Sequence, residues 1–208
     1  MAIIEDLLKA KGVSYSNDFA LTDNNSCDSC KAGQLPKGIR CNRYIMNVHP
    51  LESVTVLPLD PWFKNLPQTS KTGIKNCDYL LCDTDEILGR KRVALCDLTC
   101  SDSAYIEPGK SLKYPQGKRS YAISQMISTA KFFLDTDVLG FQIAIATERD
   151  MIFGVRSFDT VNNGIVESAL SGFTRTPSQM AETIRSEQYV DGCKFFYIEV
   201  KYPTALAW

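Results

Sequence analysis

Three β-forming runs, one long amphipathic segment and a further β run follow one another between residues 52 and 147, and this order restricts the chain to a mixed α/β sheet. Val54-Thr55-Val56-Leu57 reads as a strand ended by Pro58 and Pro61. Cys77-Asp78-Tyr79-Leu80-Leu81 is a second strand, and a turn from Asp83 to Gly89 leads into a third from Arg92 to Thr99, so the pair forms a hairpin. After a loop from Gly109 to Gly117, the spacing predicts a helix from about Lys118 to Leu134. Ile123, Ile127, Ala130 and Leu134 recur at helical intervals, as do Ala122, Met126 and Phe133. Phe141 to Ala146 supplies the next strand, with Met151 to Val155 as a pairing partner. The expected fold class is α/β, a small mixed sheet flanked by helices.

The flanks are less regular. Residues 2 to 11 read as a short helix stopped by Gly12. Residues 14 to 50 read as a Cys-rich knuckle or insertion, polar and rich in turn formers. A polar loop is expected from Lys64 to Lys75. Thr176-Pro177-Ser178-Gln179 is a capping box with proline at the first helical position and opens another helix. Lys194 to Lys201 alternates apolar and charged residues and reads as a closing edge strand. No repeat or composition shift divides the chain, so its 208 residues are expected to form a single domain.

Charge and cysteine usage narrow the setting. The formal net charge is −1, which provides no global basic field for coating nucleic acid. A protein this near neutrality is expected to grip nucleic acid through a local patch or a protein partner subunit. The start, Met1-Ala2-Ile3-Ile4-Glu5-Asp6, lacks the basic and apolar regions of a signal peptide, and no run has membrane-spanning length. A cytoplasmic location is therefore expected, with the eight cysteines as thiols or metal ligands rather than disulfides.

The chemistry is concentrated in two acids. Asp78 lies in the second strand of the central run and Asp97 near the end of the third, where Val93, Leu95, Asp97 and Thr99 share a face. A carboxylate at the end of an apolar strand is costly to bury unpaired. Two on neighbouring strands repel each other unless a cation or proton sits between them. Oxygen-rich pairs of this kind suit Mg²⁺. The plain alternative is a pair of ordinary acids near turns of an unrelated sheet.

This central region, residues 74 to 147, resembles the PD-(D/E)xK nuclease superfamily. Cys77-Asp78-Tyr79-Leu80-Leu81 resembles the first motif, Ala94-Leu95-Cys96-Asp97-Leu98-Thr99 the second, and Lys118 to Gln125 the start of the helix that follows. The resemblance implies a restriction-endonuclease-like core over 52–147 with Mg²⁺ or Mn²⁺ held by Asp78 and Asp97. It also implies cleavage of DNA or RNA phosphodiesters, in a setting such as a restriction or antiviral defence complex. The chain departs from the family at the motif lysine, whose position holds Thr99. One reading moves the cation to the helix, where Lys118, Tyr121 and Gln125 share a face at i, i+3 and i+7. Lys118 would then supply the charge and Gln125 would orient a ligand or water. The other reading is a catalytically inactive nuclease-fold adaptor or scaffold subunit, with Trp62-Phe63 and Tyr202 to Trp208 as contact points or as anchors onto the core. Glu199-x-Lys201 also fits an acidic-x-Lys pattern, but its position near the end of the chain argues for a simple strand.

Cys27-x-x-Cys30, Cys41 and His49 form a candidate Cys₃His zinc set, since a C-x₂-C turn supplies two ligands at tetrahedral spacing. Surface thiols in a loop are the alternative. Cys77, Cys82, Cys96 and Cys100 flank the candidate strands and read as small buried thiols. A single histidine and no G-x-S-x-G argue against a serine or cysteine hydrolase, and no G-x-x-x-x-G-K-[ST] phosphate loop occurs.

Overall fold

The computed structural model describes residues 12–22, 44–51, 53–64, 75–83, 92–99, 103–109, 111–135, 146–155, 185–201 and 204–208. Ten strands and three helices lie within them. The strands are β1 (Val13–Tyr15), β2 (Phe19–Thr22), β3 (Tyr44–His49), β4 (Val54–Pro58), β5 (Tyr79–Asp83), β6 (Arg92–Thr99), β7 (Glu148–Val155), β8 (Arg185–Val190), β9 (Cys193–Lys201) and β10 (Ala205–Ala207). The helices are α1 (Leu59–Lys64), α2 (Ser103–Ile106) and α3 (Gly117–Leu134). The protein is mixed α/β and mostly sheet, rather than the small sheet expected. Seven strands pair in the order β1-β4-β5-β6-β7-β9-β8, and three more in the order β10-β3-β2.

The centre of the large sheet follows the expected order. Strands β4, β5 and β6 form an antiparallel meander, with Tyr79 opposite Cys96 and Leu81 opposite Ala94. Helix α3 follows, and β7 then pairs parallel to β6, as a helical crossover permits. Among the described residues the next strand is Glu148–Val155, which contains the expected run Met151 to Val155; 141–145 lie outside the described residues, as do the helix expected at 2–11 and the one expected to open at 176–179. Its run Met151-Ile152-Phe153-Gly154-Val155 is buried throughout, the pattern of a strand covered on both faces.

Two cores account for that double burial. On one face, Ala122, Met126, Ala130 and Phe133 of α3 pack against Leu80, Leu95, Met151, Phe153 and Tyr197. On the other, Met46, Val48, Leu21, Leu206 and Trp208 from the small-sheet side pack against Leu81, Cys96, Ile152 and Ile198. At Gly154 the large sheet packs closely against Met46 of β3. A Cβ there would lie 2.5 Å from Leu98 Cδ2 and 3.3 Å from Met46 Cβ, so only glycine fits without displacement. Phe63 of α1 is buried against Phe132 and Phe133, with ring centroids 5.3 and 6.1 Å away.

The chain's last described residue is an anchor. Trp208 is 7% exposed, its indole Nε1 donates to Asp83 Oδ1 at 2.6 Å, and its backbone bonds to His49 and Leu51. The Arg92 guanidinium stacks 4.5 Å from the indole and pairs with buried Asp150 at 2.8 Å. These contacts use Trp208 inside the fold rather than as a free contact point.

Strand β9 corrects the expected edge assignment. It lies between β7 and β8, parallel to the first and antiparallel to the second, and the edge is β8. The polar side chains that suggested an edge are explained otherwise: Glu199 is 2% exposed and points into the α3 side of the sheet.

Candidate functional site

Asp78 and Asp97 are brought together where β5 begins and β6 ends. Asp97 is the sixth residue of β6 and 8% exposed; Asp78 immediately precedes β5 and is half-buried. The Asp78 amide donates to Cys96 O at 3.0 Å, and its carboxylate Oδ2 accepts the Leu98 amide at 2.7 Å. The first bond extends the ladder by one residue. The second ties the Asp78 carboxylate to the residue after Asp97. Asp97 and Thr99 lie on the α3 face because they alternate with Cys96 and Leu98, which belong to the opposite core.

A positive charge reaches Thr99 from the helix. Lys118, in the first turn of α3, donates from Nζ to Thr99 Oγ1 at 3.4 Å. Gly117 makes that placement work: its φ of +77° turns the chain into the helix, and a Cβ would lie 2.4 Å from Ile106 O. Asp78, Asp97, Thr99 and Lys118 therefore converge. Gln125 sits two turns further along. Its Nε2 donates to Asn76 O at 2.7 Å, while Thr129 Oγ1 accepts the Cys77 amide at 3.0 Å and Ser128 Oγ accepts the Lys75 amide at 3.4 Å. These three side chains fasten the segment leading into Asp78 to α3, so Gln125 positions the backbone that carries a site residue.

A third acid belongs to the same face: Glu199, which the sequence offered in the Glu199-x-Lys201 pattern and which was set aside as part of a simple strand. Asp97, Phe153 and Glu199 are consecutive partners across β6, β7 and β9, which places Glu199 about 10 Å from Asp97 across two strand spacings. Arg119 reaches it from α3, with Nε 2.7 Å and Nη2 3.2 Å from the two carboxylate oxygens, and turns Nη1 to Glu107 at 2.7 Å. Tyr197 Oη donates to Glu199 Oε2 at 3.3 Å. The hydrogen bonds that Arg119 donates to Glu199 hold its guanidinium firmly in the charged form. Burial, then the Glu199 charge, pushes the Tyr197 phenol up. Lys118 and Arg119 thus each serve a different strand end. The available sequence signal was Glu199 itself, a carboxylate flanked by Ile198 and Val200 in an apolar strand.

The thiols around the acids are held neutral. Burial raises Cys77 and Cys96 well above the ordinary value of 9.0, and the charges of Asp97 and Asp78 raise both further. Burial pushes Cys82 up to about 12. These are the expected buried thiols; Cys100 lies outside the described residues. Below pH 9.0 the thiols are protonated both folded and unfolded, and the stabilisation is complete; above it only the unfolded chain ionises. Stability should therefore fall from pH 9.0 towards pH 12, by up to about 1.4 kcal/mol per pH unit for each thiol. Urea unfolding at about pH 8 and about pH 10 checks this. A Cys82→Ala protein should show a shallower loss, and identical pH slopes for the two proteins would exclude a contribution from Cys82.

Of the expected zinc set, Cys27, Cys30 and Cys41 lie outside the described residues. His49 ends β3, and its Nδ1 pairs with the Asp18 carboxylate. Among the described residues no group of three or more His, Cys, Asp or Glu side chains converges as a metal cluster. The acidic pair is a two-carboxylate set, which suits a cation that completes its shell with water and phosphate oxygens. Among the described residues no helix is long and apolar enough to cross a membrane. Comparison with family models, curated proteins and solved structures returned no match.

Proposed function

We propose that the protein is a metal-dependent nuclease with a restriction-endonuclease-like core formed by β4, β5, β6, α3 and β7. The observation that carries this reading is the convergence of Asp78 and Asp97 with Lys118, whose ammonium occupies the neighbourhood of Thr99 from the helix. Meander, helix and parallel strand follow the order in which that superfamily presents its acids, and a lysine displaced onto the helix would account for Thr99 at the motif position. Asp78 and Asp97 would hold Mg²⁺ or Mn²⁺, which supplies Lewis-acid stabilisation of phosphate charge and a more acidic bound water. Lys118 places a positive charge where a scissile phosphate would lie, and Thr99 orients that ammonium. Gln125 and Thr129 keep Asp78 in place through the backbone of Asn76 and Cys77.

Purified protein should cleave DNA or RNA only when Mg²⁺ or Mn²⁺ is added. Lys118→Met should lower the rate by about a hundredfold or more, as loss of one preorganised charge contact does, and Lys118→Arg should recover part of it. Cleavage that persists in excess chelator, or is indifferent to Lys118→Met, would remove this reading.

A further inference from the structure

Next to the acidic pair lies a patch that, Lys118 apart, the cleavage chemistry does not require. Tyr114 and Tyr121 meet edge-on, with centroids 5.5 Å apart and an interplanar angle of 63°. Three ammonium groups lie over their faces: Lys75 is 5.2 Å from the Tyr121 centroid, and Lys113 and Lys118 are 5.2 and 5.1 Å from that of Tyr114. Tyr121 is 39% exposed, and Lys75 and Lys113 are exposed. Lys118 belongs to both places, since the same Nζ reaches Thr99 and the Tyr114 ring. The patch is therefore continuous with the candidate site.

We propose that Tyr114 and Tyr121, with Lys75, Lys113 and Lys118, form a stacking platform for unpaired nucleotides, so that the substrate is single-stranded nucleic acid or a frayed end. This rests on the nuclease reading for its chemistry and adds the substrate class. Lys75 and Lys113, which cap the rings, are exposed and can swing towards phosphates, and a tyrosine ring so uncovered is useful to a base only when that base is unstacked; a duplex presents phosphates and groove edges instead. Lysines around the rings meet the phosphates on either side of a stacked base. A local patch of this kind also resolves how a chain of net charge −1 could hold a polyanion.

The test separates rings from charge and binding from cleavage. In EDTA, affinities of the full chain are measured for oligo-dT and oligo-U of about ten nucleotides, an abasic oligomer of equal charge, and a duplex of equal length. The base-bearing strands should bind tighter than the abasic strand and the duplex. Tyr121→Ala should weaken the base-bearing strands roughly fivefold or more and leave the abasic strand unchanged, whereas Tyr121→Phe should bind like the wild type. Lys113→Met should weaken all four and flatten the salt dependence. The proposal is overturned if no oligonucleotide binds, if duplex binds as tightly as single strand, or if Tyr121→Ala is indistinguishable from wild type. Ring-dependent binding without any cleavage in Mg²⁺ would sink the nuclease reading and leave the platform standing.

Discussion

An Asp97→Asn protein is expected to lose metal-dependent cleavage by about a thousandfold or more, the equivalent of several kcal/mol of transition-state stabilisation. The substitution keeps the size and shape of a side chain that is 8% exposed at the end of β6, and removes one of the two charges that would hold the cation. Folding should not suffer. Asp78 and Asp97 lie close, and both carboxylates act on the same two thiols, Cys77 and Cys96. Removing one charge relieves repulsion between the acids and gives up attraction to the neighbouring Lys118 ammonium, so the urea midpoint of the metal-free protein should stay close to the wild-type value. Single-turnover cleavage beside urea unfolding checks both halves. Undiminished cleavage would show that Asp97 holds no essential metal, and a large drop in the urea midpoint would show that the carboxylate is structural instead.

The largest expected effect on stability belongs to Arg119. The Glu199 side chain is 1% exposed, and Arg119 faces it with two hydrogen bonds. Arg119→Met leaves the buried carboxylate with only the exposed Lys201 ammonium, 3.9 Å away, and should cost about 3 kcal/mol, at the low end for a buried pair because Lys201 remains and the guanidinium is itself 26% exposed. Replacing both partners removes the stranded charge along with the attraction. Arg119→Met combined with Glu199→Leu should therefore recover most of the loss, a reversal that simple cavity formation would not give. Denaturant unfolding of the two single variants and the double variant decides it. A cost below about 1 kcal/mol for Arg119→Met would mean that the pair behaves like an exposed one.

Much of the centre was legible in the sequence because its signals are local. Val54-Thr55-Val56-Leu57, Cys77 to Leu81 and Arg92 to Thr99 became β4, β5 and β6 with boundaries shifted by only a few residues, and the helical spacing of Ala122, Met126, Ala130 and Phe133 located α3 and its buried face. Asp78 and Asp97 were found together for the same reason: a hairpin of neighbouring strands leaves few registers, and side-chain alternation then decides the face. Reading β9 as an edge went wrong because alternation of Phe, Tyr and Ile with charged residues describes an edge strand and an interior strand carrying a buried ion pair equally well. Pairing on both sides by β7 and β8 separates the two, and neither partner is adjacent to Glu199 in sequence.

The sequence by itself determined the central strands, the long helix, the two acids and Thr99 beside them, since each depends on residue type and on periods of two or 3.6 residues, whereas β2 and β3 fell within residues 14–50, read as a knuckle or insertion. Only the tertiary structure decided which side chains of α3 reach Thr99 and Glu199. Lys118 lies 19 residues beyond Thr99, and Arg119 lies 80 residues before Glu199. Each pair meets because α3 crosses the face of the sheet with its first turn over the ends of β6 and β9, and no local pattern encodes where a helix docks. The same docking gathers Tyr121, Tyr114 and three lysines beside the acids, and turns a nearly neutral chain into one with a concentrated basic and aromatic surface at a single place.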